Sequence, residues 1–485
     1  MSKGARTGLM LAVIIVVTVF LGTCAQRSNS RNALAKYKSG LRARGEKLSL
    51  ADLGYTREPE PGGSFDALGT NVQRLASRYF QPGAMQLLRY SGAGEAQVSW
   101  RLFQPPFSSW GSGPTALTWE EFSDHFQTAA DALEAIRQAT RDPPRYFYCD
   151  PTNWANPPKR PFVEMRTAAQ WLSGDAIAAL RAGQLDRAQA DLLSLTRLAQ
   201  FNREDLTLVS QMIRVAIVGL GLAVTWEALQ AEGWSEERLA ALQKGWEAAE
   251  LIDAAEKGML GERAYGEAAF AHMRSVGATM ASQSGSFGPP SGPKTWREYL
   301  DAWVVMPFWR MNSATDEMFF LKYHQRTLDA LRKLRAGTPW PNVDRELNCN
   351  MLMVDDALNS LFGRVRYRFS VMAIPNIKRA ASVAVRNETH RRLTGTAIAV
   401  EQYRLRHSRL PPDLNALVPE FLSSVTPDPM TGQSLHYRLN TNGGFVLYSA
   451  GEDGRDDGGD ARSPTVTNQF DLWLGKDAVW PVPAQ

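Results

Sequence analysis

The segment "LTLVSQMIRVAIVGLGLAVTWEALQAEG" (206–233) is apolar on almost every face. A helix of that kind has two destinations, the centre of a group of other helices or the interior of a membrane. Arg214 lies within it and the charged run "WSEERLAALQKGWEAAE" follows it, which favours a buried central helix over a span. The pattern around it is helical from about 70 to 370. "TWEEFSDHFQTAADALEAIRQATRD" (118–142) opens on a Thr118-x-x-Glu121 capping box and keeps apolar residues three and four apart. "FVEMRTAAQWLSGDAIAALRAG" and "QLDRAQADLLSLTRLAQFN" are amphipathic segments broken at Gly183. Their junction is like the turn of a tetratricopeptide-type hairpin, although no repeat at a period of about 34 residues accompanies it. "SQSGSFGPPSGPK" (282–294) reads as a loop, and "TWREYLDAWVVMPFWRM" resumes the helical pattern, with Trp303, Phe308 and Trp309 read as core residues or as an exposed aromatic patch, core being the commoner outcome.

A second apolar run stands at the N-terminus. "TGLMLAVIIVVTVFLGTCA" (Thr7–Ala25) carries no charge and follows Lys3 and Arg6. Its length suits a membrane anchor. Cleavage after Ala25 and lipidation of Cys24 are the competing outcomes, since Thr23 and Ala25 are small and "LGTC" is close to a lipobox. Arg27, Arg31, Lys36, Lys38, Arg42, Arg44 and Lys47 come next, in a basic segment read either as a solvated stalk or as a helix lying on anionic headgroups. By the positive-inside rule these charges would hold the C-terminal side in the cytoplasm. "TREPEPGGS" (56–64) reads as a linker.

The chain has 485 residues, 44% hydrophobic and 21% charged, a globular composition with room for two to four domains. A formal charge of +4 and no basic stripe beyond residue 50 argue against nucleic acid as a partner. Cys149 and Cys349 are either one disulfide or two buried thiols, and no C-x-x-C is present. The six histidines show no metal-ligand spacing, and there is no P-loop or G-x-S-x-G elbow. "GLGLAV" (219–224) sits inside a helical pattern, where its small residues permit close helix packing.

The last hundred residues change character. "TGTAIAVEQYRLRHSRLPPDLNALVPEFL" reads as a helix over about 386–406, a Leu-Pro-Pro break and a short helix. "TPDPMTGQSLHYRL" leads into a strand, and "GGFVLYSAGEDG" gives a second strand running into an acidic loop, with Asn442-Gly443-Gly444 as the hairpin turn. The order and spacing of Tyr403, Leu410-Pro411, Leu417-Val418-Pro419, Phe421-Leu422, Asp428-Pro429, Gly432, Tyr437, Tyr448-Ser449, Gly451, Asp453 and Gly454 resemble the globular part of the major pseudopilin of type II secretion systems. The likeness covers about 385–475. The upstream residues "FSVMAIPNIKRAASVAVRNETHRR" are too charged for the span that begins the helix in that family. The remainder resembles membrane-anchored helical envelope proteins that join an "RARGEKL" stalk to such a module.

The resemblance implies a calcium-binding acidic loop and an exported body. In "YSAGEDGRDDGGD" (448–460) the candidate metal ligands are Asp453, Asp456, Asp457 and Asp460, with a Ser449 carbonyl beside them. Calcium wants six to eight oxygens, which clustered carboxylates and Gly-exposed carbonyls can supply. The loop is not an EF-hand, because Arg455 and Pro464 occupy its third and twelfth positions. The other reading is a solvated Gly-Asp turn.

The expected fold is mostly α, with a membrane segment (1–30), a basic stalk and linker (31–66), a large irregular helical domain (67–375) and a small α+β module (376–485). The expected function is that of a non-enzymatic, membrane-anchored envelope scaffold with protein partners, a periplasmic body and a structural calcium ion. The alternative is an exported hydrolase of envelope glycans, with Trp119, Glu120 and Glu121, or Trp296 and Glu298, as its aromatic–carboxylate groups.

Overall fold

The computed structural model describes residues 26–54, 64–76, 80–82, 89–90, 96–97, 100–102, 119–141, 161–275, 296, 306–374, 376–441, 443–462, 472–473 and 475–480. The described residues are mostly helical with little strand, so helix packing organises the core. The helices are α1 (26–43), α2 (Ser64–Ala76), α3 (Trp119–Gln127), α4 (Ala130–Ala139), α5 (Phe162–Arg181), α6 (Leu185–Leu198), α7 (Leu208–Gln230), α8 (Glu236–Glu247) and α9 (Ala254–Ser275). They continue as α10 (Met306–Arg335), α11 (Trp340–Asn359), α12 (Leu361–Arg366), α13 (Arg368–Ala373) and α14 (Ile377–His407). Two short ladders, β1 (Phe80–Pro82) with β4 (Trp100–Leu102) and β2 (Arg89–Tyr90) with β3 (Ala96–Gln97), interrupt a region expected to be helical. Strands of two or three residues are too short to show a period-two pattern.

The apolar helix α7 is packed against α5, α6, α9 and α14. By length and composition it is long and apolar enough to cross a membrane, and 72% of its most apolar window is buried within the fold. The Thr207 side chain caps its start by accepting from the Ser210 N–H. Arg214 is fully buried; its Nε donates to the Ala199 carbonyl at 3.0 Å and its Nη2 to the Glu250 carbonyl at 2.5 Å. Ala199 is the C-cap of α6, where a helix carries unpaired acceptors and partial negative charge, and Glu250 lies in the connection that follows α8. Burial lowers the guanidinium to about 10, which leaves it charged at neutral pH.

Close packing around α7 uses small residues where the sequence places them. A Cβ on Gly221 would overlap the Trp246 ring, and one on Gly261 of α9 would overlap the Leu206 carbonyl oxygen. The α5–α6 hairpin forms as expected. Gly183 (φ +70°) ends α5 with Gln184 N–H to Ala179 O at 2.8 Å and Gly183 N–H to Leu180 O at 3.1 Å, a Schellman closure.

Residues 26–54 do not stand off as a stalk. Leu34, Leu41, Leu48 and Leu50 are buried. Lys38 pairs with Glu267 of α9 at 2.6 Å and with Glu317 of α10. Glu46 accepts from Arg263 at 2.9 Å, Arg332 at 2.5 Å and Gln325 at 2.9 Å. Those donors hold its carboxyl down to about 2 against the desolvation that would raise it. The basic segment therefore docks on acidic groups of the body through part of its charge.

The boundary near 375 is also crossed by packing. α14 runs over 377–407, longer than expected, and contributes Ala384 and Ile398 to the core around α7. Glu388, fully buried on α14, accepts from Arg391, Arg392 and the Leu251 N–H. Burial opposes its charge, but the two guanidinium groups prevail and lower it to about 2. Trp309 is buried and Phe308 half-buried, while Trp303 lies outside the described residues. Cys349 is exposed with a free thiol, and Cys24 and Cys149 lie outside the described residues.

Two glycines give opposite expectations. Gly261→Ala forces its methyl into the Leu206 carbonyl and should destabilise the fold by several kcal/mol. A Cβ on Gly395, inside α14, would meet nothing within 4 Å, so Gly395→Ala should stabilise by up to about 1 kcal/mol through helix propensity. Urea midpoints of the two variants check both signs.

Candidate functional site

The site is built at the end of a three-stranded antiparallel sheet, β5 (His436–Leu439), β6 (Phe445–Ser449) and β7 (Ala478–Trp480), in the order β5-β6-β7. The β5–β6 hairpin pairs His436 with Tyr448 and Leu439 with Phe445. Its turn lies at 440–444, where Gly443 takes φ +84° and Asn440 N–H bonds Gly444 O at 2.8 Å; Asn442 lies outside the described residues. The pairing puts Ser449 at the sheet end, directly before the acidic loop. There its hydroxyl meets the buried Asp428 carboxylate at 2.9 Å, which also accepts from Met430 N–H at 2.9 Å and Ala450 N–H at 3.3 Å. Burial pushes Asp428 up, opposed by these donors. One carboxylate thus ties the "DPMTG" turn to the acidic loop.

The four aspartates of the loop are brought near one another but not to one point. Asp453 is turned on its own loop, accepting from Arg455 N–H at 3.0 Å. Asp456 accepts from Gly458 N–H at 2.9 Å and from the Tyr448 hydroxyl at 3.0 Å, with His436 Nδ1 at 3.5 Å. Asp460 is held by Arg462 through Nε and Nη2, each at 2.8 Å, and by Lys476 at 3.3 Å. The Arg462 bonds lower its carboxyl. Asp457 has Lys476 at 4.0 Å. Among the described residues no group of three or more His, Cys, Asp or Glu side chains is disposed to share a metal ion.

The residue on which the loop does converge is Asp477, which lies beyond the motif. Its carboxylate is buried and accepts from the N–H groups of Asp457 at 3.1 Å, Gly459 at 2.8 Å and Asp460 at 3.0 Å. The Asp477 N–H in turn donates to the Asp460 carbonyl at 3.0 Å. Burial raises the Asp477 carboxyl, opposed by these three amides. Gly458 and Gly459, at φ +74° and +80°, turn the backbone so that the amides can point inward. In sequence Asp477 is a lone acid in "GKDAVW", separated from the amides it accepts by 17 to 20 residues, and it carries no local signal.

Two further tethers fix the loop and the adjoining "DPMTG" turn to the body. Glu452 accepts from Arg386 Nε at 2.8 Å and Ser382 at 2.9 Å, both on α14. Trp340 N–H at the start of α11 donates to Pro429 O at 3.0 Å, and Met430 is buried in the core with Trp340.

Of the aromatic–carboxylate groups considered for a hydrolase, only the side chains of Glu120 and Trp296 fall among the described residues. α3 starts at Trp119 with Glu120 exposed, and Trp296 is exposed. Thr118, Glu298 and the side chains of Trp119 and Glu121 lie outside the described residues. The structure instead assembles an unforeseen carboxylate pair, Asp175 and Asp191, fully buried between α4, α5 and α6. Arg137 bonds both, at 2.5 Å and 2.7 Å, and Arg187 holds Asp175 through Nε at 3.0 Å. Burial and the neighbouring Asp175 push Asp191 well up. Enclosed and paired with arginine, this pair ties three helices together and offers no carboxylate to solvent. Set against known proteins, the chain matches no family model, no curated protein and no solved structure.

Asp477→Ala leaves three backbone amides without their acceptor and should cost about 1–3 kcal/mol, whereas Asp453→Ala at the exposed turn should stay within about 0.5 kcal/mol. Chemical denaturation of both variants distinguishes a loop seated on Asp477 from one held by its own aspartates.

A pH dependence follows from the neighbouring His390. It is buried against Trp480 of β7, with ring centroids 5.3 Å apart, and burial lowers it to about 4. Unfolding restores it to about 6.5. The unfolded chain therefore binds the extra proton between these values, so His390 subtracts stability as pH falls from 6.5 towards 4. Asp428 and Asp477, raised by burial, act in the opposite sense over their own windows. His390→Phe should accordingly lose less stability than the parent between pH 6.5 and 4, read as the difference between two denaturation series.

Proposed function

We propose that the protein is a non-enzymatic, membrane-anchored component of the cell envelope. Its helical body is an interaction scaffold, and its C-terminal module is pseudopilin-like and serves docking on secretion-type or pilus-type machinery. The observation that carries this reading is the contrast between the two apolar segments. α7 has Arg214 bonded to the end of α6 and to the α8–α9 connection and is enclosed by four helices, so its apolar surface is already covered inside the fold. Residues 7–25 are the other long uncharged run and lead directly into α1, which is bound to the body. The body is extracytoplasmic in this reading, which follows the likeness of the C-terminal module. Calcium belongs to the proposal as a structural ion of the acidic loop and has no catalytic part.

Membrane fractionation tests the anchor. The full-length protein should remain in the pellet through 1 M salt and alkaline carbonate and should require detergent for release; release by salt alone would overturn it. A thermal melt in millimolar calcium against chelator tests the ion. A rise of several degrees supports an ion at the loop, and an unchanged midpoint leaves Asp477 as what holds it.

A further inference from the structure

We propose that the N-terminal end of α10, with α12 and α13, forms a face that lies on an anionic lipid surface. This rests on the anchored reading above for its orientation, and on three observations of its own.

The first is exposure. Leu361 is 81% exposed, Met372 69%, Phe362 63% and Met311 40%. The Phe308 and Phe362 rings meet at 6.2 Å, which brings α12 to the first turn of α10, where Met311 follows. α13 is fixed to the same helix, since Asp316 accepts from the N–H groups of Phe369 at 3.0 Å and Ser370 at 3.2 Å. Large apolar side chains gathered at one end of a fold mark a contact surface.

The second is charge. The three segments that meet here, 26–34, 306–315 and 360–374, contain Arg27, Arg31, Arg310, Arg364, Arg366 and Arg368 and neither aspartate nor glutamate. Among the described residues, the nearest exposed acids along the chain, Asp355 and Asp356, lie on the preceding helix α11. Arginines interleaved with exposed aliphatic and aromatic groups suit an interface in which the apolar groups enter the acyl boundary and the guanidinium groups meet phosphate.

The third is where the apolar N-terminus leaves the body. The Thr315 hydroxyl donates to the Ser30 hydroxyl at 3.3 Å, so the start of α1 lies against this end of α10. Leu34 is buried with Met306, Trp309 and Ala314. From Ser30 back to Gln26 is about 6 Å of helix, and the uncharged run 7–25 ends directly before Gln26. The occupant of the face is therefore the membrane that this run would enter.

The test uses the full-length chain with Cys24, Cys149 and Cys349 replaced by serine. Leu361→Cys is labelled with an environment-sensitive fluorophore, and the protein is reconstituted into vesicles of phosphatidylglycerol and phosphatidylcholine. The emission should shift to the blue relative to detergent, and lipids brominated on the acyl chain should quench it. The same label on Val163→Cys, at an exposed position of α5, should report water throughout. Arg364→Glu combined with Arg366→Glu should reduce the quenching at 361 several-fold. Alkaline carbonate extraction of the same vesicles reports the anchor separately. Protein that stays with the vesicles while the 361 label remains in water overturns the face and leaves the anchor standing. A label quenched before extraction on protein that carbonate then releases supports the face and removes the anchor. A blue shift that grows with protein concentration in detergent, with no quenching by brominated lipid, assigns the surface to a second copy of the chain and overturns the lipid contact.

Discussion

Enclosure of a helix with no polar side is the constraint from which the architecture follows. α7 can be buried only if neighbouring helices approach it closely, and Gly221 beneath Trp246 and Gly261 beneath the Leu206 carbonyl make that approach possible. The single cation in α7 reinforces the arrangement. Arg214 donates to the carbonyl at the C-cap of α6, where the helix dipole places negative charge, and to the Glu250 carbonyl in the connection after α8. A buried charge is tolerated when hydrogen bonds satisfy it, and here one of the satisfying groups is a helix end that would otherwise be short of donors. Arg214 therefore ties the end of α6 and the α8–α9 connection to α7.

The C-terminal module depends on the same core. α14 lies against α7, α8 and α9, and Glu388 reaches the Leu251 N–H between α8 and α9. Gln243 of α8 donates to the Phe421 carbonyl at 2.8 Å, so the turn after α14 is also held by the helical body. The sheet then hangs on α14 through His390 against Trp480 and on the body through Trp340 and Pro429. These bonds make the acidic loop part of a continuous structure, with Asp428 and Asp477 as its two buried acceptors.

What the sequence made legible was local. The burial of α7, the α5–α6 hairpin at Gly183 and the β5–β6 hairpin each rest on periodicity or turn chemistry within some thirty residues. What it hid was long-range pairing of charge. Lys38 finds Glu267 and Glu46 finds Arg263, each more than two hundred residues away, so a basic run read as a solvated stalk is fastened to the body. The acidic loop also has a long-range partner that the sequence did not show. Four aspartates in thirteen residues suggest shared ligation, yet Arg462, Lys476 and the Tyr448 hydroxyl take up much of their bonding, and the carboxylate that organises the backbone is a solitary acid later in the chain. Carboxylate density was visible, whereas the direction of the amides was not, because it depends on Gly458 and Gly459 adopting positive φ.

Docking of α1 changes what the N-terminal apolar run can do mechanically. A flexible stalk would let the body move away from a bilayer, and the field of the headgroups falls off within a Debye length of about 8 Å at physiological salt. Here Ser30 is bonded to Thr315 and Lys38 to Glu267, so the chain is fixed to the body within about 6 Å of the residue that follows the apolar run. In the proposed arrangement that distance is shorter than the screening length. Arg27, Arg31 and the arginines of α12 and α13 then remain inside the headgroup field instead of sampling it. In that arrangement the pairing of Lys38 and Glu46 with the body would hold the exposed apolar end of α10 against the surface.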